Sequence, residues 1–378
     1  MNRKTIVGLS LALSLICVEG SAGAIEEGKA AYARKDYVSA IRLFRTPAER
    51  GDVSAQYNLG RMYANGQGVT QDHEETVKWY RLAAVQGHAP AQQALGAMYS
   101  LGRGITQDYK EAMKWHLLAA EQGNASAQAT LGGMYSLGQG VAQDHKEAVR
   151  WYRLAAERGN ASAQTSLGAK YQLGQGVTQD YKEAVKWFRL AAEQGHASAQ
   201  NDLGLIYVNG QRVTQDYKEA AKWFRMAAAQ GEVSAQNALG LMYMNGQGVT
   251  QDHKEGAKWF RMAATQGEAV AQSNLGLIYA NGDGVAQDYK EAVKWFRLAA
   301  AQGEANGQNN LGVMYGNGTG VPQDHVRAHM WVNLAAAQGD AMAQKNRDMY
   351  AAKMTRAQVS QAQDKAGACE QRQYKNCD

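Results

Sequence analysis

Three stretches hold residue types capable of chemistry. Residues 245–260, NGQGVTQDHKEGAKWF, join Gly246 and Gly248, a pair of the kind that cradles phosphate, to Asp252, His253, Lys254 and Glu255, a set that metal binding or acid/base catalysis would use. Residues 325–329, HVRAH, put His325 and His329 on one face of a helix, where both imidazoles can meet one ion. Cys369 and Cys377 stand in CEQRQYKNC at the end of the chain. That spacing is wider than a redox C-x-x-C pair, so a clip that keeps a last helix from fraying is the expectation, contributing roughly 2–3 kcal/mol if oxidised.

What must position these residues is a repeat. Trp79, Trp115, Trp151, Trp187, Trp223, Trp259, Trp295 and Trp331 are each 36 residues from the next, and they are all the tryptophans of the 378-residue chain. Glycines at 51, 87, 123, 159, 195, 231, 267, 303 and 339 keep the same interval. They bound eight units: 51–86, 87–122, 123–158, 159–194, 195–230, 231–266, 267–302 and 303–338.

Within 231–266, Ala235, Leu239, Met242 and Tyr243 share one helix face. Gly240 sits inside that helix at a cost of about 1 kcal/mol relative to alanine, and its return from Gly60 to Gly312 calls for close approach of a neighbouring helix. Asp252 and Glu255 have capping-box spacing at the start of a second helix. Gly256, Trp259, Phe260 and Ala263 form its apolar stripe, and Gly267 ends it. Each unit is then an antiparallel helix pair, stable only when stacked on the next.

Periodicity removes the chemical readings of 245–260. The glycine pair returns in seven of the eight units, with Arg212 in place of the second glycine in the remaining one. A phosphate loop would occur once or twice, beside a strand, and no strand pattern is present. The position of His253 holds Tyr109, Tyr181, Tyr217 and Tyr289 elsewhere, and tyrosine cannot replace imidazole at a zinc site. His116 stands where other units carry Tyr80 or Phe260, and His88 and His196 follow a unit-starting glycine. HVRAH lacks the glutamate of a metalloprotease motif, and no nucleophile motif is present. No cofactor is expected, and the chain reads as a non-enzyme.

The pattern AQxxLGxMYxxGxGVxQDxxEAxKWxRLAAxQG resembles the Sel1-like repeat, a longer relative of the tetratricopeptide repeat. The resemblance covers 51–338 fully. It implies an all-α, right-handed solenoid of antiparallel helix pairs with a concave groove lined by first helices. Residues 25–50 look like a shortened capping repeat with a tight turn near Asp36. Residues 339–378 look like closing helices, the last opened by a capping box at Thr355–Gln358. Some secreted proteins of this type carry a cysteine pair in every repeat and have been linked to β-lactam binding or hydrolysis. The repeats here have none, and a β-lactam- or peptidoglycan-directed enzyme is the second-ranked reading.

By the same resemblance two residue series face the groove. The first includes Asn201, Asn237, Ser273 and Asn309, and the second, one turn on, Leu205, Leu241 and Leu277. Amides beside aliphatics suit an extended or helical peptide, so the partner class is a protein or peptide. Nucleic acid is not expected: the net charge is +5, and basic residues alternate with acids on the second helix, as in Lys254, Glu255, Lys258 and Arg261. Arg3 and Lys4, an apolar run from Ile6 to Val18, and Ala22 and Ala24 at small-x-small spacing make residues 1–24 a signal peptide cut after Ala24, too short in its apolar run to span a bilayer. The mature protein is expected in the periplasm or outside the cell. Asn124 and Asn160 fit helix starts better than glycan acceptors.

Overall fold

The computed structural model describes residues 23–210 and 213–377. Among them all regular structure is helical. The signal segment, apart from Gly23 and Ala24, and Arg212 lie outside the described residues. The chain divides into two compact units, one to Ala191 and one from Ala192.

The first unit runs through α1 (23–33), α2 (Tyr37–Glu49), α3 (Val53–Asn65), α4 (His73–Val85), α5 (Ala89–Leu101), α6 (Tyr109–Glu121), α7 (Ala125–Leu137), α8 (His145–Glu157) and α9 (Ala161–Leu173). Helix α10 (Tyr181–Glu193) carries the division between units near its end. The second unit continues with α11 (Ala197–Asn209), α12 (Tyr217–Ala229), α13 (Val233–Asn245), α14 (His253–Thr265), α15 (Ala269–Asn281), α16 (Tyr289–Ala300), α17 (Ala305–Asn317) and α18 (His325–Ala337). It closes with α19 (Ala341–Ala351) and α20 (Arg356–Gln371). Within each unit most helices pack chiefly on their neighbours in sequence, the contact pattern of an α-solenoid, and α20 folds back onto α18.

Capping explains the length of these helices. Asp252 accepts from the Glu255 N–H at 3.0 Å, and Asp72, Asp108, Asp144, Asp216, Asp288 and Asp324 cap their helices in the same way. Glu255 turns instead to Lys258, at 3.0 Å, so only the aspartate half of the box operates there. At α20 both halves close: the Gln358 N–H donates to Thr355 Oγ1, and the Thr355 N–H donates to Gln358 Oε1. Asn124 and Asn160 accept from Ala127 and Ala163, each at 2.9 Å, which makes them caps. The turn at Lys35 and Asp36 joins α1 to α2, with the Asp36 N–H on the Ala31 carbonyl.

The glycines of the opening motif are architecture. Gly246 ends α13 in the left-handed conformation, φ 67°, and Gly248, φ 69°, lies so close to the Tyr217 carbonyl of the preceding repeat that a Cβ would overlap it. Amides at both ends of the loop are spent internally, Gln247 N–H on Met242 and Asp252 N–H on Tyr243. Gly240 makes room for a ring, since a Cβ there would stand 3.1 Å from Phe260. The tryptophans pack backward: Trp115 against the cluster of Val77 and Tyr80, Trp151 against Ala112 and Leu131, and Trp259 against Ala220 and Phe224.

A buried amide ladder runs beside these cores. Gln236 donates to the Ala228 carbonyl at the end of the preceding repeat and accepts from Gln266 at 2.8 Å. Gln92, Gln200, Gln272 and Gln308 repeat both bonds. Arginines on second helices add a latch, with Arg225 donating to the Tyr243 hydroxyl at 3.0 Å and Arg297 to Tyr315 at 2.8 Å.

Candidate protein-binding surface

The first helices of the second unit show one face to solvent. Leu205, Leu241 and Leu277 stand on it at 42%, 41% and 39% exposure, one per repeat, on helices α11, α13 and α15. Asn209, Asn245 and Asn281 are exposed one turn on. Single exposed leucines are ordinary on a soluble surface, but three in register make an apolar row edged by amides.

The other residues of the expected groove do not share that exposure. Asn201, Ser273 and Asn309 are buried, at 9%, 2% and 8%, and Asn237 is half-buried. Asn309 accepts from Asn346 at 2.8 Å and Asn237 from Asn274 at 3.4 Å, so these amides tie first helices of successive repeats together. Asn201 Oδ1 and Ser273 Oγ are buried with no partner. The residue that would serve Asn201, one repeat on, is Ala238. The polar half of the row thus belongs more to the packing between repeats than to the surface.

Two residues were missed from sequence. Asp202 is half-buried beside Asn201, and burial pushes its carboxyl up to about 6, against the Asn201 hydrogen bond and with help from Glu232. The signal was visible, since that position holds Ala238, Asn274 and Asn310 in later repeats. Lys170 is buried where other repeats carry Met62, Met98, Met134, Ile206, Met242, Ile278 and Met314. Its amine donates to Ser136 Oγ at 2.8 Å and Gln175 Oε1 at 2.9 Å, with His145 Nδ1 at 3.3 Å. Burial lowers its pKa.

An amine beside a hydroxyl is the pairing of a serine–lysine nucleophile. Ser136, however, lies in the last turn of α7, which presents free carbonyls rather than the N–H donors that an oxyanion requires. The cluster reads as a buried cation met by neutral acceptors. Lys170→Met is expected to raise stability by about 1–2 kcal/mol, because it removes that desolvation at matched volume. Urea midpoints at pH 7 check this, and a fall in midpoint would show the amine to be structurally required.

His325 stacks on Tyr350 with ring centroids 6.0 Å apart, and His329 is buried, which lowers its pKa, with Arg347 adding to the effect and Asp348 opposing it. Among the described residues no group of three or more His, Cys, Asp or Glu converges as metal ligands would. Cys369 and Cys377 form a disulfide.

Stacked helix hairpins tied by buried amides and carrying a periodic surface row define an α-solenoid scaffold. The Sel1 repeat model matches residues 53–88, 89–124, 125–160, 161–196, 197–232, 233–268, 269–304 and 305–340. The chain belongs to the Sel1 repeat family, whose fold typically serves protein–protein interaction. It is similar to a Sel1 repeat protein of Oxalobacter formigenes, with 35% identity, 80% of this chain and 88% of that one covered, and a TM-score of 0.59. It is also similar to a protective antigen of uropathogenic Escherichia coli with an SLR fold, with 32% identity, 96% and 95% covered, and a TM-score of 0.46. Among curated proteins none matches.

Proposed function

We propose that the chain is an exported scaffold whose first-helix face in the second unit binds a protein or peptide. The observation that carries this reading is the row of Leu205, Leu241 and Leu277, exposed at one helical position in three successive repeats. Three leucines offer evenly spaced apolar contacts, and the exposed Asn209, Asn245 and Asn281 offer amides to a bound backbone. Asp202, ionised above about pH 6, adds a place for a cationic group of the partner at one end of the row. Export is supported by the basic, apolar and small-residue order of residues 1–24 and by the Cys369–Cys377 disulfide, which belongs in an oxidising compartment.

The test uses surface positions, because charging the buried asparagines would disturb the repeat contacts instead. Leu205→Glu, Leu241→Glu and Leu277→Glu combined should leave the thermal melt within a few degrees of wild type and should abolish capture of envelope proteins that the wild type retains. If every captured protein binds the triple variant equally well, this face is not the binding surface.

A further inference from the structure

The two units differ in what their first helices offer a partner. In the first unit, α3, α5, α7 and α9 contain two charged residues, Arg61 and Lys170, and no acid. Lys170 is buried among neutral acceptors, which leaves Arg61 as the cation these helices show to solvent. Arg61 departs from the repeat. Its position holds Ala97, Gly133 and Ala169 in the next three units, and Tyr57, one turn before it, is replaced there by Gln93, Ala129 and Thr165. The repeat frame packs without either residue, yet the two meet. The Arg61 guanidinium lies over the rings of Tyr32 and Tyr57, 5.2 and 5.8 Å from their centroids. One of its nitrogens donates to the Tyr32 hydroxyl at 3.2 Å, and that hydroxyl donates onward to Gln67 at 2.8 Å. Tyr57 is braced in turn by Tyr80 and His88, with ring centroids 5.7 and 4.8 Å away.

The guanidinium is held in place without being neutralised. It forms no ion pair among the described residues, its one hydrogen bond engages a single nitrogen, and it is half-buried rather than enclosed. A fixed planar cation with spare N–H groups suits a carboxylate, which can accept two bonds at once. An apolar row begins in the next repeat, one turn on from the Arg61 position. Helices α5, α7 and α9 end in Leu101, Leu137 and Leu173, at 58%, 68% and 62% exposure, each followed by its capping glycine. In the second unit that position holds Asn209, Asn245 and Asn281, so this row belongs to the first unit.

We propose that the first-helix face of the first unit binds a polypeptide segment that presents a carboxylate to Arg61 and aliphatic side chains to Leu101, Leu137 and Leu173. The unpaired guanidinium and the absence of acids from these four helices carry the assignment, since both favour an acidic partner. The site is separate from the row of Leu205, Leu241 and Leu277. Helices α11, α13 and α15 carry Asp202 and no cation, so the two faces select partners of opposite charge.

A library of random peptides displayed with free C-termini, selected on the full oxidised chain and counter-selected on Arg61→Ala, tests the assignment. That substitution copies Ala97, so the frame accepts it. Peptides that discriminate between the two chains should hold a carboxylate beside large aliphatic residues. By fluorescence anisotropy they should bind wild type at least about tenfold more tightly than Arg61→Ala, the worth of one charge-assisted contact. Leu101→Asn, Leu137→Asn and Leu173→Asn combined copy the second unit and should cost about tenfold as well, while circular dichroism stays helical. Leu205→Glu, Leu241→Glu and Leu277→Glu combined should change affinity by less than about twofold. If amidation of the C-terminus removes the advantage of wild type, Arg61 receives a chain end; if Asp→Asn or Glu→Gln in the peptide removes it, Arg61 receives a side chain. Recovery of no discriminating peptide, discriminating peptides that lose nothing when every carboxylate is neutralised, or peptides that lose binding with the second unit's leucines overturns the proposal. Undiminished binding by the asparagine variant overturns the role of the leucine row.

Discussion

A His116→Phe chain is expected to be more stable than wild type by about 1–3 kcal/mol at pH 7, with the gap widening by about 3 kcal/mol as pH falls to 4. His116 is 1% exposed, and both ring nitrogens are buried without a partner. It occupies the place of Phe188, Phe224, Phe260 and Phe296, each set against a helix glycine. A Cβ on Gly96 would stand 2.8 Å from the His116 ring and one on Gly168 2.9 Å from Phe188, so the larger ring has a precedent in the same frame. Phenylalanine removes two unsatisfied polar atoms without enlarging the site much.

The pH dependence follows from the direction of the shift. Burial lowers the His116 pKa from 6.5 to about 4, so the fold prefers the neutral ring. The stability that depends on neutrality is complete above 6.5, the unfolded value, and is lost as pH falls toward 4. His88 and His329 are also lowered, but both proteins contain them, and they cancel in the difference. Guanidinium unfolding followed by tryptophan fluorescence at pH 7 and pH 4.5 measures the effect. Parallel stability curves for the two proteins would mean that the ring is solvated or hydrogen-bonded in solution.

His116 also shows where the sequence is transparent. Thirty-six-residue spacing exposes an outlier at once, since one imidazole among tyrosines and phenylalanines must enter an aromatic slot. The helix pairs, the aspartate caps, the Thr355 capping box and the glycine turns were legible for the same reason: each rests on short-range geometry that every repeat restates. Contacts between repeats were less legible. Asn201, Ser273 and Asn309 lie one turn before Leu205, Leu277 and Val313 on the same first helices, and that turn separates the part of the helix covered by its neighbour from the part that Leu205 and Leu277 show to water. Periodicity places both near one face and cannot say how much the next helix covers. Lys170 was equally visible as a lysine in a row of methionines and isoleucines, but its neutral acceptors, Ser136 and Gln175, come together only through stacking. The role of the glutamine in each AQ pair emerges only when Ala228 and Gln266 are found on either side of Gln236.

That glutamine yields the second large effect. Gln236→Leu should lower stability by about 2–4 kcal/mol although the volume is nearly kept. The Ala228 carbonyl loses its donor, and Gln266 loses its better acceptor, retaining only the Met262 carbonyl at 3.4 Å. With Gln236 1% and Ala228 0% exposed, water does not replace the donor to the Ala228 carbonyl, whereas the exposed Gln266 can turn to solvent. Gln251→Leu breaks a similar amide bond, to Met244 at 2.7 Å, on an exposed residue, and should cost less than about 0.5 kcal/mol. Because the ladder links neighbouring hairpins, the loss should also weaken coupling between repeats and broaden the denaturant transition. Gln236→Glu separates hydrogen bonding from shape. Its buried carboxyl is held above the usual range, so the variant is most stable when protonated in acid and loses stability as pH rises through that elevated value. A Gln236→Leu midpoint equal to that of wild type, or a Gln236→Glu deficit independent of pH, would show that the hairpins are held by apolar stacking alone.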